Sequence, residues 1–136
     1  MPESGYIGAS IPRREDIRFL TGRATFVDDI RLDRMTHAAI VRSPHAHARI
    51  LGLDASRALA LEGVSAVLTY ADFAEIAKPI PLRLAPIADF DRFLQMPLAS
   101  EVARFVGEPI AVVIAANRYV AEDALTLVEV DYDPLP

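Results

Sequence analysis

Seven residues, Ile110 to Ala116, read Ile-Ala-Val-Val-Ile-Ala-Ala and carry no polar side chain. The run is too short for a buried helix of ordinary length and is rich in β-branched residues. It follows the turn signal Gly107-Glu108-Pro109 and precedes Asn117. Such a segment is predicted to be a central strand, buried on both faces. The rest of the chain must then supply flanking strands and apolar layers above and below it.

Candidates for those layers lie on either side. Ala38-Ala39-Ile40-Val41 reads as a short buried strand that ends at Ser43-Pro44, where proline cannot donate to a ladder. Ala48 to Leu53 reads as a second strand. Asp54 then has the chemistry of a helix N-cap, with Ala55, Ala58, Leu59 and Leu61 as the apolar stripe and Gly63 placed to end the helix in a left-handed conformation. Val64 to Leu68 is a third strand. Thr69 and Asp72 have capping-box spacing, which predicts a short helix over Tyr70 to Ile76. Four prolines (79, 81, 86 and 97) make 78–100 an extended loop. Glu101 to Val106 reads as an edge strand or the entry to a turn. Asn117 is predicted to cap a helix over about Arg118 to Leu127, with Val120, Ala121, Ala124, Leu125 and Val128 as its apolar face. In the last segment Val128, Val130 and Tyr132 alternate with Glu129, Asp131 and Asp133, the signature of a half-buried strand. Strands alternating with short helices give a mixed α/β, or α+β, domain over 35–136. Residues 1–34 carry Gly5, Gly8 and Gly22 without clean periodicity. They are expected to form an irregular arm with a short helical turn near Glu15 to Leu20.

Composition narrows the function classes. The 136 residues are 52% hydrophobic and 24% charged, enough to fill one core, and the formal net charge is −5. Basic residues are scattered, with no run beyond Arg13-Arg14, so neither nucleic acid nor an anionic membrane surface is expected as a partner. There is no cysteine, so disulfides, thiolate nucleophiles and cysteine-held zinc or iron–sulfur sites are excluded within the chain. The opening residues lack a basic segment followed by an apolar one, and the longest apolar run is far short of the ~20 residues a membrane span requires. The expectation is a cytoplasmic protein without a membrane anchor.

Several motifs carry residue types suited to chemistry. His45 and His47 stand two apart, and on a strand their imidazoles would share a face and could approach one metal with His37 or a carboxylate as third ligand. A loop of locally hydrogen-bonded residues is the preferred reading. Asp28-Asp29 has the chemistry of an acid/base or divalent-metal pair but no further acid at calcium-loop spacing, which favours a turn. Gly107-Glu108-Pro109 could form an anion-binding nest, yet it lacks the glycine spacing of nucleotide-phosphate loops, which favours a tight turn. Arg13, Arg14 and Arg18 read as a solvated face or partners of Glu15 and Asp16. Glu129, Asp131 and Asp133 read as the wet side of a strand. No nucleophile elbow is present. The residues by themselves assign no catalytic, cofactor-binding or metal position.

A family resemblance adds to this. Arg14-Glu15-Asp16-Ile17-Arg18-Phe19-Leu20-Thr21-Gly22 and Phe26-Val27-Asp28-Asp29-Ile30 resemble the opening of xanthine dehydrogenase/aldehyde oxidase large (molybdenum-binding) subunits, closest to the carbon monoxide dehydrogenase-like branch. The segments His37 to Ile50, Glu62 to Thr69 (with Glu62 where proline is common), Val106 to Ala115, and Ala121 to Ala124 through Val130 to Pro136 are similar to the motifs that follow, in the same order. The resemblance covers nearly the whole chain and implies an N-terminal α/β hammerhead domain, a small mixed sheet with packed helices. It implies a parent oxidoreductase using a molybdopterin-type molybdenum cofactor, with iron–sulfur clusters and FAD on partner domains or subunits. The family's cofactor loops and catalytic glutamate lie beyond this domain, so none is carried onto a residue here. The implied role is structural and partner-contacting. The isolated chain is expected to be inactive and to associate with itself. The alternative is a free-standing binding module using the proline-rich loop 78–100.

Overall fold

The structure, a computed structural model, describes residues 7–81 and 89–136, the side chains at 91 and 92 excepted. It divides into two units, Met1–Arg34 and Met35–Pro136.

In the first unit the only α-helix among the described residues is α1, Asp16–Leu20. Asp16 holds its start, accepting from the Arg13 backbone N–H at 3.1 Å and from Arg13 Nε at 2.9 Å. Gly22, at φ +68°, turns the chain away after it. A 3-10 turn follows at Val27–Asp29, where Asp29 accepts from the Phe26 N–H at 2.9 Å. The rings of Phe19 and Phe26 lie 5.4 Å apart. No described residue of this unit is buried.

The second unit holds two three-stranded sheets. One contains β1 (His37–Arg42), β3 (Val64–Thr69) and β5 (Pro109–Ala115) in the order β1-β5-β3; the other contains β2 (Ala48–Asp54), β4 (Val102–Ala103) and β6 (Glu129–Pro134) in the order β4-β2-β6. All their pairings are antiparallel. The mixed α/β class therefore holds, and the small sheet expected from the sequence resolves into two. The apolar run at Ile110 is the central strand of the first sheet, with Ala39 and Val67 both opposite Val113. Val113 is fully buried, and Ile110, Ala111 and Ala115 nearly or fully so.

Two helices cover this sheet. The first, α2, spans only Ser56–Leu59. Asp54 is the last residue of β2, and its Oδ1 accepts from the Ser56 N–H at 2.8 Å, so it guides the strand into the helix. Gly63, at φ +92°, supplies the left-handed turn into β3. The second helix, α3 (Arg118–Leu125), starts where expected: Asn117 Oδ1 accepts from the Val120 N–H at 2.9 Å. Ala58 and Ala124 are fully buried, and their lack of bulk lets both helices sit close to Val113. A second cluster, Ala99, Ala103 and Ile110, lies toward β2 and β6, and Val41 packs against both clusters.

Two expectations are corrected in detail. The helix expected over Tyr70 to Ile76 is a single 3-10 turn at Tyr70–Phe73, because Asp72 ties back to Thr69 N–H (2.6 Å) and Oγ1 (2.9 Å) and Pro79 lies close behind. Of the segment Glu101 to Val106, only Val102–Ala103 pairs as a strand. The part of the proline-rich loop at 82–88 lies outside the described residues. Its flanks are held by Ile80 N–H to the Gln95 carbonyl (2.8 Å) and Ala99 N–H to the Pro109 carbonyl (2.8 Å), and Leu98 and Ala99 are buried.

Candidate functional site

Among the described residues, the two buried polar side chains of the second unit, Ser43 and Glu108, lie where β1 leaves its sheet and β5 enters it. The Ser43 N–H donates to the Glu108 carbonyl (2.9 Å), and the Gly107 N–H donates to the Ser43 carbonyl (2.8 Å). Arg42 Nη1 donates to the Gly107 carbonyl at 2.8 Å. Gly107 sits at φ +91°, a conformation a side chain would strain. These bonds lock residues 42–43 to 107–108 on either side of the sheet entrance.

Glu108 is the buried acid of this junction, 3% exposed. Its carboxylate turns back to accept from the Arg104 backbone N–H and faces Arg104 Nη1 at 3.6 Å. Arg104 also donates to the Val102 carbonyl at 3.1 Å. The carboxylate thus closes the loop from β4 to β5 on itself. A buried charge held this way costs far more to unpair than it gains by pairing, so its effect is to fix one loop geometry.

Ser43 is 2% exposed, and its Oγ accepts from the His45 N–H (3.0 Å) and lies 3.1 Å from the His45 carbonyl. The His45 ring packs on the Tyr132 ring with centroids 4.8 Å apart. Burial pushes the Tyr132 phenol above its ordinary pKa, partly offset by its hydrogen bond with Ser43. His47 Nδ1 lies 2.8 Å from the Pro136 carbonyl, which requires the Nδ1–H form for a hydrogen bond. His45 and His47 therefore sit in a loop and go separate ways, one to β6 and one to the backbone at Pro136. His37 lies on β1.

The other sequence candidates also have local duties. Asp29 caps its own turn, as does Asp16 in α1. Glu129 pairs with Arg57 across 3.0 Å, joining β6 to α2. Asp131 and Asp133 are exposed on the edge strand β6. The Gly107 and Glu108 amides, which a nest would aim at an anion, are spent on the Ser43 and Phe105 carbonyls. Among the described residues no three His, Asp or Glu side chains converge at metal-holding distance. The sequence did not single out Glu108 as buried; the available signal was an acid between a turn glycine and the proline that opens an apolar strand.

Two open grooves flank this junction. One, of about 460 Å³, is floored by Ile50, Leu53, Ala99 and Ile110 with Tyr70 and Glu101 at its rim. The other, of about 350 Å³, runs along β1 at Ile40, Val41 and Arg42 and faces Leu125, Val130 and Tyr132. No helix among the described residues is long and apolar enough to cross a membrane.

A fold of two small antiparallel sheets, one of them pinned by such a junction, has relatives. Residues 21–136 match the family model described as aldehyde oxidase and xanthine dehydrogenase, a/b hammerhead domain, and the chain belongs to that family. It is 48% identical over 130 residues to the carbon monoxide dehydrogenase large chain of Afipia carboxidovorans, covering 96% of this chain and 15% of that one. It is 43% identical to the nicotine 6-hydroxylase large subunit of Paenarthrobacter nicotinovorans, over 95% of this chain and 16% of that subunit. The crystal structure of Cu,Mo-CO dehydrogenase in its carbon monoxide reduced state matches with a TM-score of 0.80 and 44% identity, over 95% of this chain and 16% of that chain. The chain thus spans about one-sixth of the length of these relatives.

Proposed function

We propose that this chain is the scaffolding hammerhead module of a molybdenum hydroxylase of the carbon monoxide dehydrogenase-like branch, working in the cytoplasm and contributing no catalytic side chain. One observation carries the reading: the buried polar side chains Ser43 and Glu108 are engaged in fixing their own loops, while large apolar side chains stay exposed. Ile17, Leu20, Val27 and Leu32 in the first unit and Leu51, Ile76 and Val106 in the second are all well over half exposed. Surface of that kind belongs against other protein. The partners are then the remaining domains of a large subunit, with iron–sulfur and FAD subunits beyond them. In such an assembly a molybdopterin-type cofactor supplies the oxidation chemistry, and this chain supplies shape and contact surface. Deprived of those partners, the chain covers its apolar surface by self-association.

The test is analysis of the purified chain for molybdenum and pterin, together with aldehyde and purine oxidation assays. Neither metal nor pterin near one per chain and no turnover are expected. Stoichiometric pterin, or turnover by this chain unaided, overturns the reading.

A further inference from the structure

The four sheet edges of the second unit are not equally protected. A free edge exposes unpaired N–H and C=O groups, and proteins blunt it with shortness, charge, proline or bulges. β4 has two residues. β6 carries Glu129, Asp131, Asp133 and Pro134. β3 is bulged, its pairing with β5 shifting between Val64 and Ala66. β1 has none of these over Ala38 to Val41: four uncharged apolar residues, with its only register shift at the Val41/Arg42 end. Among the described residues, the backbone of His37 to Val41 is hydrogen-bonded only to β5, and the 350 Å³ groove lies open beside it.

We propose that β1 is the self-association edge of this chain and pairs antiparallel with β1 of a second copy across a two-fold axis at Ile40. This rests on the reading that the isolated chain associates, and it names the strand that does so. Ala38, Ile40 and Arg42 are exposed while His37, Ala39 and Val41 are half-buried. Register must keep exposed residues opposite exposed residues. Placing Ile40 opposite its own copy does so, sets Ala38 opposite Arg42, and brings the two large apolar side chains together. Arg42 then lies opposite an alanine rather than another arginine, so no like charges are placed in register. By contrast β6 paired with itself would bring together two strands that each carry three carboxylates. The product is one six-stranded sheet with both edges of the new sheet formed by the bulged β3, a closed isologous dimer.

The absence of native cysteine makes the register directly readable. Ile40→Cys should form a disulfide dimer under mild oxidation, since residues opposite one another in an antiparallel pair lie at roughly 4.5–5.5 Å between Cα atoms, within disulfide reach. Ala38→Cys alone should not cross-link, whereas an equimolar mixture of Ala38→Cys and Arg42→Cys should. Leu51→Cys, more solvent-accessible than position 40 and on β2, is the control and should remain uncross-linked. Ile40→Lys should weaken the dimer at least about 10-fold in sedimentation equilibrium, with an unchanged circular dichroism spectrum, because two ammonium groups would be forced together at the axis. An oligomeric parent chain in which Cys-substituted position 40 fails to cross-link, or in which Ile40→Lys leaves the dimer intact, overturns the β1 edge and leaves association standing. A parent chain that is monomeric at the same concentration removes association itself.

Discussion

Residues 7–34 and the unit Met35–Pro136 use similar amino acids to opposite effect. The first contains Ile7, Ile11, Ile17, Phe19, Leu20 and Phe26, and every one of them is exposed. The second contains Val113, Ile110 and Ala111, and all three are buried. The difference lies in spacing. In the arm, apolar residues come singly or in pairs between charges such as Arg14, Asp16 and Arg18, and α1 is five residues long, too short to bury a face of its own. Around β5, seven uninterrupted residues impose strands on both sides and helices above. Apolar content does not make a core unless it is contiguous or periodic. The described residues of the first unit therefore build no core of their own.

Substitutions can break this contrast. Val113→Asp places a carboxylate where the core is fully closed, and it should cost more than about 4 kcal/mol, a large share of the net stability of a domain. Leu20→Ser, an apolar-to-polar change in the arm, should leave the urea midpoint within error; a large drop would show that the arm is a structural part of the core. Next in size is Glu108→Ala, which should cost about 2 kcal/mol by leaving the Arg104 N–H and the loop turn without their acceptor. Glu108→Gln should recover part of that loss, because its amide oxygen still accepts. Asn117→Ala should cost about 1 kcal/mol by removing the cap of α3, and Asn117→Asp should restore most of it.

The smallest effect is on pH dependence. Hydrogen bonds from Thr69 hold the Asp72 carboxyl below its ordinary range, and the Ser56 N–H does the same for Asp54. A group whose folded pKa is depressed contributes stability above its unfolded pKa and loses it as pH falls through the folded value. Both carboxylates should therefore steepen the loss of stability on the acid side. Asp72→Asn combined with Asp54→Asn should flatten that limb in thermal unfolding followed from neutral pH downward, and an unchanged limb would mean that neither bond survives in solution.

The strands were largely legible because each is a short apolar or alternating run between turn residues. Ala38 to Val41, Ala48 to Leu53 and Val64 to Leu68 all fall inside observed strands. The caps were legible for the same local reason: Asn117 and the Thr69–Asp72 pair need only a few neighbouring residues. What the residues concealed was long-range. Nothing local to Val130 or Ile50 says that they pair in a second sheet rather than extending the first. Nothing near His45 announces that its ring meets Tyr132. In sequence Glu108 shows only as part of a turn, since its burial depends on the loop from Val102 folding back over it and on Ser43 arriving from across the sheet.

That meeting of Ser43 with Gly107 and Glu108 bears on synthesis. Arg42 and Gly107 are 65 positions apart, and both neighbours of β5 are made before it. While the ribosome is translating the intervening chain, β1 and β3 have no sheet to join. Their pairing waits on the arrival of the strand between them, so the nascent polypeptide carries uncovered strand-forming segments until β5 has been made. Slow, non-local closure of this sort exposes a growing chain to chaperone capture and to mispairing with its neighbours on the same message.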